Sequence, residues 1–191
     1  MFKNNSMDNI SITGIAPLDY YPCLKNIVKT KQNMKDIDVL IPCEKPDIES
    51  IEEVKVSICI LNTKIIDTIL GKKLIFNAEI KLKVIYTANN CEQSVHSAHW
   101  TIPLCDFVLL DNVSNCDLNT LDLFSAIEDI CIRSNNLRCI NFSVLYIVCV
   151  CLYNKPPTCS NPYVKTTPIK NKNQICTKGN FNKSYEDVDY Y

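Results

Sequence analysis

The stretch Lys73 to Tyr86, KLIFNAEIKLKVIY, constrains the fold more than any other part of the chain. Alternate residues Leu74, Phe76, Ala78, Ile80, Leu82, Val84 and Tyr86 are apolar or aromatic, whereas the intervening Ile75, Asn77, Glu79, Lys81, Lys83 and Ile85 are mostly polar. A period of two held this long belongs to a strand with one face in a core. On a helix, Glu79, Lys81 and Lys83 would point to several sides and interrupt the apolar face. The stretch is therefore read as a long strand in a half-buried antiparallel sheet.

The same alternation begins at Glu53, with Val54, Val56, Ile58 and Ile60 opposite Lys55, Ser57 and Cys59. After Asn62 a second strand, TKIIDTIL, is expected to lead through Gly71 into the central one. Ala88-Asn89-Asn90 is a turn signal, and Gln93 to Ile102 reads as a returning strand that Pro103 ends or confines to an edge. Leu121 to Ser134 is divided, with helix-like spacing in its first half and alternation in EDICIR. Leu18 to Ile41 suits either a short helix or an edge strand. The apolar run CINFSVLYIVCVCL, Cys139 to Leu152, suits a strand buried on both faces; it falls short of the ~20 residues that cross a bilayer as a helix, so no membrane span is expected.

Five or six strands joined by short polar turns predict an all-β fold: an antiparallel β-sandwich or barrel-like single domain over residues 18–153. Residues 1–17 read as an N-terminal arm. Residues 154–191 read as a Pro-, Asn- and Lys-rich C-terminal tail, whose acidic, aromatic end YEDVDYY suits either disorder or docking on a neighbour through apolar anchors. Composition narrows the chemistry. Twenty basic against twenty-one acidic residues leave no nucleic-acid footprint, and three glycines leave no room for a Gly-rich phosphate loop. No cofactor, metal site or enzymatic activity is expected.

Cysteine is the anomaly, with twelve in the chain and no apolar N-terminal run of the kind that directs secretion. Cys23, Cys43, Cys91, Cys116, Cys159 and Cys176 fall in turns, arms or tails, where packing explains them poorly and disulfide bonding explains them better. Of these, Cys23, Cys43, Cys159 and Cys176 are the candidates for bonds between molecules. Cys59, Cys105, Cys131, Cys139, Cys149 and Cys151, with Cys91 and Cys116, are disulfide candidates of unassigned kind. Cys149 and Cys151 form a CxC on one face of a strand, about 6.5–7 Å apart and too far for an easy mutual bond. They are read equally as buried thiols or as partners of another strand or molecule. His96 and His99, three apart on a strand, point to opposite faces and cannot jointly chelate one ion.

The motifs IPCEKPDIESI, KLIFNAEIKLKVIYTA and QSVHSAHWTIPLCDFVLL, followed by EDICIR and the strand ending VCVCL, resemble the SPOCS domain of SipL-like spore-coat proteins of clostridia, over roughly Cys43 to Leu152. No LysM-like module follows. The resemblance implies a β-rich, non-enzymatic protein of the spore's outer layers, made in the mother-cell cytoplasm without a signal peptide. Together with the cysteine density it favours a structural subunit of coat, exosporium or appendage. Its partners would be itself and other coat or exosporium proteins, with cross-linking by intermolecular disulfides. The alternative is a monomeric adaptor that binds another coat morphogenetic protein or a wall glycan.

Overall fold

The chain forms two four-stranded sheets that face each other across one core. The computed structural model describes residues 10–111, 121–134 and 136–152, with the backbone of 167–168. The strands are β1 (Ser11–Thr13), β2 (Ile27–Leu40), β3 (Ile48–Thr68), β4 (Gly71–Ala88), β5 (Val95–Leu109), β6 (Leu121–Ser134), β7 (Cys139–Leu152) and β8 (Thr167–Pro168). One sheet has the order β1-β3-β4-β5, the other β2-β7-β6-β8. All pairings are antiparallel except β1 with β3. This is the all-β sandwich that the alternation predicted.

The alternate set of β4, from Leu74 to Tyr86, is buried as expected and packs against Ile140, Phe142, Val144, Tyr146, Val148 and Val150 of β7. Two segments differ from the sequence reading, and bulges contribute to both. The alternation from Glu53 and TKIIDTIL form one continuous strand, β3; a register shift between Ile60 and Asn62 resets the inner face without ending the pairing. β6 is a strand throughout. Its shift between Ile127 and Asp129 breaks the period, and Phe124 and Ala126 are buried on its outer face, which together imitate a helical pattern. The ambiguous Lys-rich stretch is the edge strand β2, paired with β7 along almost its whole length. Pro103 lies within β5, an edge strand whose missing N–H costs no ladder bond.

Three sets of contacts hold the sheets together at their margins. On the β2/β5 side, Asp106 occupies an inward-facing position of β5. It accepts hydrogen bonds from Lys31, Asn33 Nδ2 (3.3 Å) and Tyr146 OH (3.0 Å). At one end, Arg138 pairs with Asp47 and donates to the carbonyls of Ile41 (3.2 Å), Pro42 (2.6 Å) and Lys45 (3.1 Å), gathering the β2–β3 loop. On the β3/β6 side the N-terminal segment acts as a strap. β1 pairs with Glu53–Lys55, Ile15 bridges to Ile127, and Ala16 N donates to Ile127 O (2.8 Å).

Gly14 makes that crossing possible. Its φ is +105°, and a Cβ there would lie 1.8 Å from the carbonyl oxygen of Val56. The chain then turns over the outer face of the second sheet. Tyr20 and Tyr21 tilt against Phe124 with ring centroids 5.4 and 6.0 Å away, and close a small second core.

Candidate assembly surfaces

Nine of the twelve cysteines lie among the described residues, and they separate by environment. Cys149 and Cys151 point from the outer face of β7 into the second core, beneath Ala16, Tyr20, Tyr21 and Ile27. Burial, with a smaller contribution from Glu128, pushes the Cys149 thiol up to about 11. Burial, with Cys149 and Asp122, pushes Cys151 up to about 12. Both keep their protons at neutral pH and are poor nucleophiles. Both thiols are buried.

Cys43, Cys91, Cys105 and Cys131 are exposed. Cys43 and Cys91 sit in the β2–β3 and β4–β5 loops, which meet where Asn89 N donates to Asp47 O (2.8 Å). Cys105 lies on the outer face of β5, opposite Asn77, and Cys131 on the outer face of β6, opposite Ser143. These two belong to the outward sides of different sheets. Packed sheets are ~10 Å apart, and a disulfide needs Cα atoms within ~7 Å, so Cys105 and Cys131 of one molecule cannot meet. Cys23 and Cys139 are half-buried near strand starts, and Cys59 is half-buried on the outer face of β3 beside Glu79. Cys116, Cys159 and Cys176 lie outside the described residues.

The two histidines are on opposite faces of β5. His96 packs on Tyr86 (5.9 Å) and shares a 3.0 Å hydrogen bond with Ser94 Oγ, while His99 is exposed. Among the described residues no group of three or more His, Cys, Asp or Glu side chains is placed to hold a metal ion. Among the described residues no helix is long and apolar enough to cross a membrane.

Sequence reasoning missed the Asp106 cluster. Burial alone would raise the Asp106 carboxyl, but hydrogen bonds from Lys31, the Phe107 N–H, Asn33 and Tyr146 outweigh it and hold it below the usual 3.8. Burial, and then the charge of Asp106, push Tyr146 up to about 12. The signal was present: Asp106 has the parity of Ala98, Leu104 and Val108, an inward register that a carboxylate enters only with partners.

Beyond its short pairing with β1, the outer edge of β3 from Ser57 to Thr68 pairs with no described strand. At the head of that edge, where the strap leaves, a cleft of about 280 Å³ is lined by Gly14 to Pro17, Ser57, Ile58 and Ser125 to Ile127. An open edge beside a cleft is the geometry that accepts an added strand.

With this geometry in view, residues 47–134 match the family model described as SipL, SPOCS domain. The match runs from just before β3 to the end of β6, so this part of the chain is similar to a SPOCS domain. The framing strands β2 and β7 lie outside it. No curated protein and no solved structure matches the chain.

Proposed function

We propose that this SPOCS-like chain is a non-enzymatic structural subunit of a bacterial spore outer layer (coat, exosporium or appendage) whose copies associate and are then joined by disulfides. The observation that carries the reading is the exposure of Cys105 and Cys131 on opposite outer faces of one rigid sandwich, with Cys43 and Cys91 at its end. Cys105 and Cys131, held on opposite faces of one molecule, do not pair with each other and would find partners in other copies. The chain is made with reduced thiols in the mother cell. After lysis an external oxidant such as oxygen takes two protons and two electrons from each thiol pair. The open β3 edge and the tails from 154 onward bring copies together first.

The adaptor alternative would need exposed aromatic side chains in a groove. The single tryptophan, Trp100, is half-buried against the core, which favours the subunit reading. Non-reducing electrophoresis of the oxidised full chain separates the two. A ladder of multimers that dithiothreitol collapses is expected, and a single monomer band at every oxidant concentration would sink the subunit reading.

A further inference from the structure

The β3–β4 hairpin ends in an apolar tip that is exposed among the described residues. Ile69 and Leu70 are 102% and 70% exposed. The pairing places Ile66, Ile75, Phe107 and Leu109 on the outer face just behind them, since Ile66 is opposite Lys73, Lys73 opposite Leu109, and Ile75 opposite Phe107. Phe107 and Leu109 are themselves exposed, and Ile66 and Ile75 half-buried. Six apolar side chains thus form one surface running from the outer face of the sheet onto its tip. Contiguous apolar surface of this kind on a soluble domain marks a contact site.

Among the described residues, its charges without an ion pair have one sign. Lys73 Nζ lies 4.7 Å from the centre of the Phe107 ring, and Lys31 Nζ 4.6 Å from it. Lys64, exposed, is opposite Ile75 on the same face. Asp67 at the tip is paired with Lys72, and Lys31 with Asp106, so Lys64 and Lys73 remain without an ion pair among the described residues. The surface therefore suits a short segment that is both aromatic and acidic.

The chain contains one such segment. Its last seven residues, Tyr185 to Tyr191, hold three tyrosines, a valine and three carboxylates with no basic residue. β8 runs antiparallel to β6, from Leu123 toward Asp122, so the chain at Pro168 points toward the start of β6. That start lies at the hairpin end of the sandwich, where Lys29 of β2 pairs with Asp111 just after β5. Residues 169–184 then separate the segment from the body, a spacer that spans up to ~50 Å when extended. That length reaches past its own molecule to the corresponding face of another.

We propose that the hairpin-tip surface of Ile69, Leu70 and Phe107, rimmed by Lys64 and Lys73, is the docking site for the acidic, tyrosine-rich C-terminal segment of a second copy of this chain. The proposal rests on the self-assembly reading and supplies its non-covalent step. The tyrosine rings cover the apolar surface, and Glu186, Asp187 and Asp189 face the lysines. A head-to-tail contact of this kind leaves a free tail and a free tip on each growing assembly, so copies add until a ring closes.

The test is sedimentation velocity of the full chain in dithiothreitol at low salt, over a range of concentrations, so that disulfides play no part. The wild-type chain is expected to associate as its concentration rises. Leu70→Asp, a change at an exposed position, should weaken that association about tenfold or more, as should Tyr190→Ala with Tyr191→Ala. Lys64→Glu with Lys73→Glu should weaken it similarly, and adding Glu186→Lys with Asp187→Lys should restore it. Thermal melts confirm that each variant is folded. A monomer at all concentrations, or association indifferent to the tail substitutions, overturns the proposal. A tail-dependent compaction that does not vary with concentration also overturns it, by placing the segment on its own molecule. Because the disulfide ladder is read separately under oxidation, its presence alongside a negative result here removes the docking site alone.

Discussion

Cys149, Cys151 and Tyr146 are each held in their protonated form by burial. A group whose proton affinity is higher in the folded than in the unfolded chain stabilises the fold below its unfolded pKa, and that contribution is lost as pH rises through the folded value. From ordinary values of 9.0 for the thiols and 10.0 for tyrosine, the loss begins near pH 9 and continues to about 12. Asp106 acts in the opposite sense: its depressed pKa contributes stability above 3.8 that is lost as pH falls through the lower, folded value. The expected melting profile, under reducing conditions, is flat near neutrality and falls at both extremes. Replacing Cys149 and Cys151 with Ala should move the alkaline fall upward, toward that of the tyrosine. An unchanged alkaline limb would mean that these thiols are not buried in solution.

Among the elements, those whose side chains report on their own neighbours were legible in the sequence, and those defined by distant contacts were not. The inner face of β4 could be read residue by residue because the partner sheet covers it without interruption. β3 looked like two strands because a bulge shifts parity at Asn62, and no residue type there marks a bulge. β6 looked partly helical because its first half is buried on both faces, the outer one by residues a hundred positions earlier in the chain. The strap is the furthest from what a pattern can show: its strand is three residues long, and its key position is a glycine in an otherwise unremarkable SITGIAP. Gly14→Ala tests it. The added methyl meets the Val56 carbonyl, and the positive φ is itself unfavourable. A loss of about 2–3 kcal/mol is expected, with early proteolytic cleavage in residues 10–26. A variant as stable and protease-resistant as the wild type would show that the strap does not hold the sheets together.

At the scale of the whole molecule, the sandwich keeps its exposed and its buried thiols in different places. The sequence pointed to thiols as the functional groups, and to turn cysteines such as Cys43 and Cys91, because turns are visible as Pro- and Asn-rich punctuation. It could not separate Cys105 and Cys131 from Cys149 and Cys151, since all four lie on strands at outward parity. What separates them is the N-terminal segment, which covers one pair and leaves the other open. Peptide mapping of the oxidised assembly under non-reducing conditions, by mass spectrometry, tests the central claim most directly. The expected result is cross-chain linkages among Cys43, Cys91, Cys105, Cys131 and the tail cysteines Cys159 and Cys176, with Cys149 and Cys151 recovered as thiols. Cross-chain links traced only to Cys149 and Cys151, or every cysteine recovered as a thiol, would contradict it.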